Sequence, residues 1–381
     1  MPTSVLSASS ASAASSCRAV SSSAESRPSS PADSSLFPQH TCIINREVPE
    51  YSWGLPMETN ETLVRVENLR KYFPIIGGTI PRKVADIRAV DGISLHINKG
   101  ETLGLVGETG CGKTTLGRSI LYLEKPTSGR VFFNDVDLGE LGKGQLRNMR
   151  QHMQMIFENP FASLDPVMRV GDTIAEPLRV HNIASGKELE DRVSDLLMLV
   201  GLEPDMADRY PSEFSGGQRQ RIEIARALAL RPSFIICDNP LAHLDVSIQN
   251  QLLSTLMWLR NWRDLTYLFI AHDLALVRNI SNRVAVMYAG KIMELAETDE
   301  LYDNPLSPYT LALLSAVLVP DPKAERDRMI ILLPGDLPSP VNPPTGCRFH
   351  PRCEQAIGIC QEQEPELRDV GSSHLVACHL V

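Results

Sequence analysis

One stretch of the sequence combines glycines, a lysine and adjacent hydroxyl side chains at the spacing G-x-x-x-x-G-K-[ST], which is typical of phosphate-binding loops. It reads Gly107-Glu108-Thr109-Gly110-Cys111-Gly112-Lys113-Thr114-Thr115. The glycines let successive backbone N–H groups turn inward and bind phosphate oxygens at a helix N-terminus. Lys113 would reach the β- and γ-phosphates, and the Thr114 hydroxyl would ligate Mg²⁺. The stretch therefore predicts a nucleoside triphosphate and its magnesium as ligands.

The residues on either side predict the elements that such a loop needs. Residues 103–106 form an apolar run that indicates a buried strand, and residues 114–123 have helical character. A glycine-rich turn between a strand and a helix can also bind nothing. Because the strand, the spacing and the helix occur together, the sequence favours the phosphate loop.

Three further motifs carry groups that could act on a bound phosphate. Residues 234–238 are an apolar strand ending in Asp238, a carboxylate placed to hold Mg²⁺ through its water shell. Residues 214–218 offer serine and glycine donors at the start of a helix predicted over 219–230, a second anion site. His272 follows another apolar strand. On their own, these motifs would equally suit a strand end, a capped helix start and a hydrogen-bonded structural histidine.

Strands and helices alternate along the chain, and this alternation predicts an α/β core with a largely parallel sheet. An amphipathic helix over 246–261 lies between two of the strands, and the stretch of about 160–222 is predicted to be an inserted helical subdomain. The predicted strands lie at 64–66, 93–97, 103–106, 131–133, 233–237, 266–270 and 284–288.

The composition divides the chain into three predicted domains. Residues 1–60 are rich in Ser, Ala and Pro, so they bury little apolar surface and are predicted to be a disordered tail. An organelle transit peptide, or a true start at Met57, are the alternatives for this tail. Residues 61–300 hold the α/β domain, and residues 301–381 a C-terminal extension that begins with a short apolar helix.

Charge and hydropathy exclude two classes of function. The formal net charge of −9 argues against a nucleic-acid-binding surface, which is normally basic. Uninterrupted apolar runs of bilayer-spanning length are missing from the sequence. Any membrane role would therefore depend on a partner.

Four cysteines cluster near the C-terminus: Cys347, Cys353, Cys360 and Cys378, with the spacing C-x5-C-x6-C-x17-C. Thiolates at this density can ligate Zn²⁺ or an iron–sulfur cluster. The spacing lacks the C-x2-C pairs of common zinc modules. Plain buried thiols are the alternative.

The chain resembles ABC transporter ATPases in the order and spacing of five motifs: the phosphate loop, residues 214–218, Asp238, Asp245 and His272. From about residue 61 onward the chain resembles, more specifically, the ATPase subunits of bacterial oligopeptide/dipeptide importers. The motifs that carry this resemblance are Met155-Ile156-Phe157, Asn159-Pro160-Phe161-Ala162-Ser163-Leu164, Asp245-Val246-Ser247-Ile248-Gln249, Asn304-Pro305, Pro308-Tyr309 and Gly346-Cys347-Arg348-Phe349-His350-Pro351-Arg352-Cys353.

The resemblance implies an ABC-type P-loop ATPase fold and a head-to-tail nucleotide sandwich. Lys113, Thr114 and Asp238 of one subunit would hold Mg-ATP, with His272 on the γ-phosphate and Asp245 coupling the two sites. An aromatic side chain would stack on adenine. Phe73 is the first candidate for this role and Tyr72 is the second. The signature of the opposing subunit would close over the γ-phosphate through Ser215, Gly216, Gly217 and Gln218.

The resemblance also implies partners and a location. The partners are a second ATPase subunit, two membrane-spanning permease subunits docked near residues 161–170, and, indirectly, an extracytoplasmic peptide-binding protein. The second ATPase subunit is predicted to be a paralogue, with a homodimer as the alternative. The chain would lie peripherally on the cytoplasmic face of the inner membrane. The four cysteines would carry a structural [4Fe–4S] cluster, with Zn²⁺ as the alternative.

Two positions depart from the pattern of the family. Asn239 follows Asp238 where the family has the glutamate that deprotonates the attacking water, and Glu158 replaces a glutamine that touches Mg²⁺ and water. An amide cannot accept a proton, and losing a general base typically costs about 10²–10⁴ in rate.

Three hypotheses follow from these departures. The chain is a degenerate subunit that binds ATP, hydrolyses it slowly and completes its partner's site; or Glu158 partly replaces the missing base; or Asn239 traps the closed dimer. The first requires no new chemistry and is preferred. Outside peptide import, the alternatives are a non-transport soluble ABC ATPase and a catalytically inert structural subunit.

Overall fold

The computed structural model describes residues 61–77, 81–159, 163–317 and 330–381, all within the unit Glu58–Val381. The predicted disordered tail, 1–60, lies outside the described residues, as do the first two residues of the predicted docking stretch 161–170. In chain order, the strands are β1 (Thr62–Gly77), β2 (Arg82–Asn98), β3 (Thr102–Val106), β4 (Ser128–Phe133), β5 (Val136–Asp137), β6 (Met153–Ile156), β7 (Phe234–Asp238), β8 (Thr266–Ile270), β9 (Arg283–Tyr288), β10 (Lys291–Glu297), β11 (Arg368–Asp369) and β12 (Leu375–Val376).

The helices connect these strands or follow them. In chain order they are α1 (Lys113–Ile120), α2 (Lys143–Met149), α3 (Val170–Val180), α4 (Gly186–Leu199), α5 (Gly216–Leu228), α6 (Val246–Arg263), α7 (Leu274–Ile280), α8 (Thr298–Asp303), α9 (Pro308–Ser315) and α10 (Ile359–Glu362). Short 3-10 turns lie at Leu138–Glu140, Pro204–Asp208, Pro211–Glu213 and His350–Arg352.

Two sheets organise the described part of the chain. The first is antiparallel, in the order β2-β1-β4-β5, and the second has eight strands in the order β11-β12-β10-β9-β3-β8-β7-β6. Strands β3, β6, β7, β8 and β9 run parallel, so their carboxyl ends meet at one edge. The predicted α/β core with a largely parallel sheet is therefore confirmed. Ligands of such sheets bind beyond the carboxyl ends of the strands.

Apolar strands and helix faces make the core between and beside the sheets. Strands β3, β7 and β8 have five residues each, and all of these residues are buried, as expected for strands covered on both faces. In β2, Ile93, Leu95 and Ile97 are buried and alternate with exposed positions, because only one face of that strand meets the core.

Local patterns predicted the elements well and their ends less well. The strand predicted at 266–270 has those bounds in β8, whereas the strands predicted around 64–66 and 93–97 are much longer. The signature helix begins at Gly216, three residues before its predicted start, because Ser215 caps it. Helices α3 and α4 and the first residues of α5 lie within the predicted helical stretch of about 160–222.

The C-terminal extension contributes strands to the main sheet, which the sequence did not indicate. β12 pairs antiparallel with β10 through Glu294 and Leu295, and β11 pairs with β12. Two-residue strands have too few positions to show a hydrophobic period, so the sequence pattern cannot predict them. The domain boundary at residue 300 stays a prediction.

Within the described ranges, none of the helices has both the length and the apolar character needed to span a membrane.

Candidate nucleotide-binding site

The predicted phosphate loop lies at the carboxyl edge of the parallel sheet, between β3 and α1. Its three glycines have φ values of 147° at Gly107, 86° at Gly110 and 110° at Gly112, in a region that other residues rarely adopt. A Cβ at Gly112 would lie 2.1 Å from the Ala89 carbonyl oxygen, and one at Gly107 would lie 2.1 Å from that of Met287. The loop therefore needs glycine for both its curvature and its close packing.

Lys113, the first residue of α1, lies over the loop. Its Nζ donates to the carbonyl oxygens of Gly107, at 2.7 Å, and Glu108, at 3.0 Å. The ammonium is therefore held above the concavity where a phosphate group would bind. Thr109 and Gly110 are exposed at the tip of the loop, whereas Cys111 is buried.

Thr114 and Asp238 meet across the edge of the sheet, as a magnesium site requires. The Thr114 hydroxyl donates to Asp238 Oδ1 at 2.8 Å, and Asp238 ends β7 with 2% of its surface exposed. Burial, aided by the negative charge of Glu158, raises the pKa of Asp238, while the hydrogen bond from Thr114 lowers it. A hydroxyl and a carboxylate are hard oxygen ligands that suit hydrated Mg²⁺. The residues present therefore fit Mg-ATP.

Asn239 and Glu158 are in direct contact. Asn239 Nδ2 donates to Glu158 Oε1 at 2.9 Å. Asn239 has a φ of 50°, which asparagine tolerates better than most residues, and its N–H donates to the Ile270 carbonyl at 2.8 Å. The two residues that depart from the family pattern are thus neighbours in space, and both lie close to Asp238.

The signature residues cap α5. Ser215 Oγ accepts from Gln218 N–H at 3.3 Å, and Gln218 Oε1 accepts from Ser215 N–H at 3.0 Å. Among the described residues, no hydrogen bond or ion pair joins Ser215–Gln218 to the phosphate loop. A Cβ on Gly217 would lie 2.7 Å from Ile248 Cγ2, so the signature packs closely on the start of α6. Asp245 is the exposed N-cap of α6.

His272 is exposed in the turn after β8, at the same sheet edge as Asp238. The two adenine candidates differ in their contacts. The Tyr72 hydroxyl donates to Asp91, whereas the Phe73 ring has the Lys71 ammonium 4.6 Å from its centroid. Both rings are half-buried on β1, and their adenine-stacking role stays a prediction.

Three residues of the C-terminal extension reach the site, and no motif in the sequence indicated this contact. Arg352 pairs with Glu108 of the phosphate loop, and Arg348 pairs with Asp91. The Tyr309 hydroxyl accepts a hydrogen bond from the Glu108 N–H at 3.0 Å. These residues lie in motifs that carried the family resemblance, Pro308-Tyr309 and the segment 346–353, and their spacing revealed no contact with the loop.

The structure does not support a metal ion on the four cysteines. Within the part of the chain that it describes, no group of three or more His, Cys, Asp or Glu residues is arranged to hold a metal. The Cys347 N–H donates to the Cys360 carbonyl at 2.8 Å, which brings two of these residues together through their backbone. Burial, together with the charges of Cys360 and Cys378, raises the pKa of Cys347 to about 11.

Known proteins share both the sequence and the fold. Residues 90–242 match the family described as ABC transporter, and residues 293–360 match the one described as oligopeptide/dipeptide transporter, C-terminal region. The chain is 53% identical over 321 residues to the oligopeptide transport ATP-binding protein AppF of Bacillus subtilis (strain 168), covering 84% of this chain and 98% of AppF. It is 48% identical over 328 residues to the oligopeptide transport ATP-binding protein OppF of Salmonella typhimurium (strain LT2), covering 84% of this chain and 97% of OppF.

Among solved structures, the chain resembles the dimeric post-hydrolysis state of the ATP-binding cassette MJ0796 bound to ADP and Pi. The TM-score is 0.56 at 27% identity, and the match covers 62% of this chain and 99% of that one. The ABC ATPase fold and the ATPase class predicted from the motifs are therefore confirmed. The chain belongs to the ATP-binding subunits of the oligopeptide/dipeptide ABC importer family.

Proposed function

We propose that this chain binds Mg-ATP in a head-to-tail sandwich and thereby energises the import of peptides or similar solutes by a membrane transporter. The observation that carries the proposal is the meeting of Lys113, Thr114 and Asp238 at one sheet edge, with Thr114 and Asp238 joined at 2.8 Å. The relatives named as oligopeptide transport proteins support the choice of solute.

The signature contacts support a two-subunit site. In the described residues Ser215–Gln218 pack against the start of α6 rather than on the chain's own phosphate loop. A second ATPase subunit would therefore supply the signature that covers the γ-phosphate, as the resemblance implies. The dimeric state of MJ0796, with ADP and Pi bound, is in line with this arrangement.

We further propose that the chain's own site hydrolyses ATP slowly. Asn239 occupies the position of the general base, and its amide is engaged by Glu158. A degenerate site would pair best with a competent paralogue, because two such sites in a homodimer would both turn over poorly. The chain would sit peripherally at the cytoplasmic face of the inner membrane, against two permease subunits and indirectly a peptide-binding protein.

Nucleotide binding is tested with matched lysine variants of the full chain. Lys113 and Lys143 are each the first residue of a helix, but only Lys113 lies on the phosphate loop. We expect Lys113→Ala to weaken Mg-ATP binding at least tenfold and Lys143→Ala to leave it unchanged, by calorimetric titration. Unaltered affinity in Lys113→Ala would refute the proposed function.

Peptide import is tested in proteoliposomes that contain the complete transporter. Peptide uptake that depends on ATP and is lost with Lys113→Ala is the expected result. ATP turnover without peptide uptake would favour a non-transport ABC ATPase, and ATP binding without turnover in the full complex would favour an inert structural subunit.

A [4Fe–4S] cluster on Cys347, Cys353, Cys360 and Cys378 stays a prediction from the family resemblance, with its own test. Anaerobically purified protein would carry iron and sulfide and absorb near 400 nm, roughly where thiolate-to-iron charge transfer falls. Stoichiometric zinc would replace the iron assignment.

A further inference from the structure

The C-terminal extension holds the phosphate loop through a buried arginine. Arg352 Nη1 donates to both carboxylate oxygens of Glu108, at 3.0 and 2.8 Å, and lies 3.4 Å from the Tyr288 hydroxyl. Its Nε donates to the Pro334 carbonyl at 3.0 Å, and only 9% of its side chain is exposed. The arginine is thus fixed in place while it faces the loop.

A second residue after position 300 binds the same loop residue. The Glu108 N–H donates to the Tyr309 hydroxyl at 3.0 Å. Tyr309 is buried against Tyr288 and Phe349, with ring centroids 4.6 and 5.2 Å away. Both the backbone and the side chain of Glu108 are therefore held by the C-terminal part of the chain.

Charge gives this contact a functional consequence. Glu108 belongs to the loop that would receive a triphosphate, so its carboxylate is a negative charge on that loop, and like charges at short range repel. A guanidinium in contact with both carboxylate oxygens offsets that charge and restricts its orientation. Removing the arginine alone would leave an unpaired carboxylate on the phosphate loop.

We propose that Arg352 is a positioning residue for the nucleotide site: it neutralises the charge of Glu108 and fixes the conformation of the phosphate loop. ATP affinity therefore depends on the C-terminal extension. This inference rests on the proposed binding of Mg-ATP. The extension would then be part of the nucleotide site of its own chain, in addition to any contact it makes with other subunits.

A double-variant cycle on the full chain tests the inference by Mg-ATP titration. We expect Arg352→Met to weaken binding about tenfold, and Arg352→Met/Glu108→Gln to recover to within about threefold of the wild type, because the unpaired charge is gone. The loss in Arg352→Met should shrink as salt rises from 50 to 500 mM, since ions screen the repulsion. A double variant no better than Arg352→Met, or wild-type affinity in Arg352→Met, would overturn the proposal.

A matched control removes another buried anchor of the extension. His374 Nε2 lies 2.7 Å from Glu294 Oε1, where the extension joins the main sheet, and among the described residues neither side chain is hydrogen-bonded to the phosphate loop. His374→Ala should lower the melting temperature but keep ATP affinity within about twofold. An equal loss of affinity in His374→Ala would show that any loosening suffices, and would overturn the specific role of Arg352.

Lys113→Ala separates this inference from the proposed function. If Lys113→Ala abolishes ATP binding while Arg352→Met binds normally, the function stands and the inference fails. Absence of ATP binding by the wild-type chain would overturn both.

Discussion

The amide of Asn239 donates a hydrogen bond to the carboxylate of Glu158 at 2.9 Å, across 81 positions of the sequence. An amide and a carboxylate are complementary, whereas two carboxylates at this distance would repel one another. The amide of Asn239, in place of the family's glutamate, is therefore complementary to the carboxylate of Glu158, in place of the family's glutamine. The pair lies next to Asp238, whose pKa is raised chiefly by burial and further by the charge of Glu158.

Restoring the family pattern at both positions should restore hydrolysis. We expect Asn239→Glu/Glu158→Gln to raise single-turnover ATPase by about 10²-fold or more, because a carboxylate can then accept the proton of water. Asn239→Glu alone should gain less, since it places two carboxylates together. Rapid quench of the pure subunit measures these rates. Fast wild-type turnover that Glu158→Gln abolishes would instead identify Glu158 as the base.

The hydroxyl of Thr114 should account for magnesium dependence. Thr114→Val removes the donor to Asp238 Oδ1, whereas Thr114→Ser keeps it. We expect Thr114→Val to reduce the gain in ATP affinity on adding Mg²⁺ by about tenfold, since hydrogen bonds to charged groups are worth about 1.5–3 kcal/mol. Titrations with Mg²⁺ and with EDTA make the comparison. An equal effect of Thr114→Ser would contradict a role for the hydroxyl.

Two glycine variants compare the loop with a helix. Gly112 has a φ of 110° and no room for a Cβ, whereas Gly144, in α2, has nothing within 4 Å of one. Gly112→Ala should destabilise the fold by about 2 kcal/mol or more and abolish ATP binding. Gly144→Ala should stabilise it by about 0.5–1 kcal/mol, because alanine favours helix. Urea unfolding measures both changes, and equal effects would contradict the strain at Gly112.

Glu223 should make stability depend on pH. Burial on α5 raises its pKa to about 7 from 4.5, while Glu223 Oε1 accepts the Phe157 N–H at 3.1 Å. The folded state favours the protonated acid. The stabilisation of the folded state by protonated Glu223 is therefore fully present below pH 4.5 and is lost as the pH rises through about 7.

The variant Glu223→Gln keeps an acceptor without the charge. We expect it to raise the free energy of unfolding at pH 8 by about 2 kcal/mol and to remove much of the slope between pH 5 and 8. Glu188→Gln, which alters an exposed ion pair with Arg192 on α4, should leave the slope unchanged. A wild-type curve parallel to that of Glu223→Gln would contradict the raised pKa.

The sequence by itself determined the elements that are local. The phosphate loop was predictable because its glycines, Lys113 and Thr114 are contiguous and lie between a strand and a helix. Asp238 was predictable because it ends an apolar run, residues 234–237, in a chain that also carries a phosphate loop. Periodicity and turn chemistry act over a few residues, so they are visible without a fold.

Only the tertiary structure decided which distant residues meet. Asn239 reaches Glu158 because β6 and β7 are neighbours in the sheet, and Arg352 reaches Glu108 across 244 positions. Strands β11 and β12 join the main sheet although two residues show no period. Such contacts depend on how the chain closes on itself, which no local pattern encodes, and they tie the C-terminal extension to the nucleotide site.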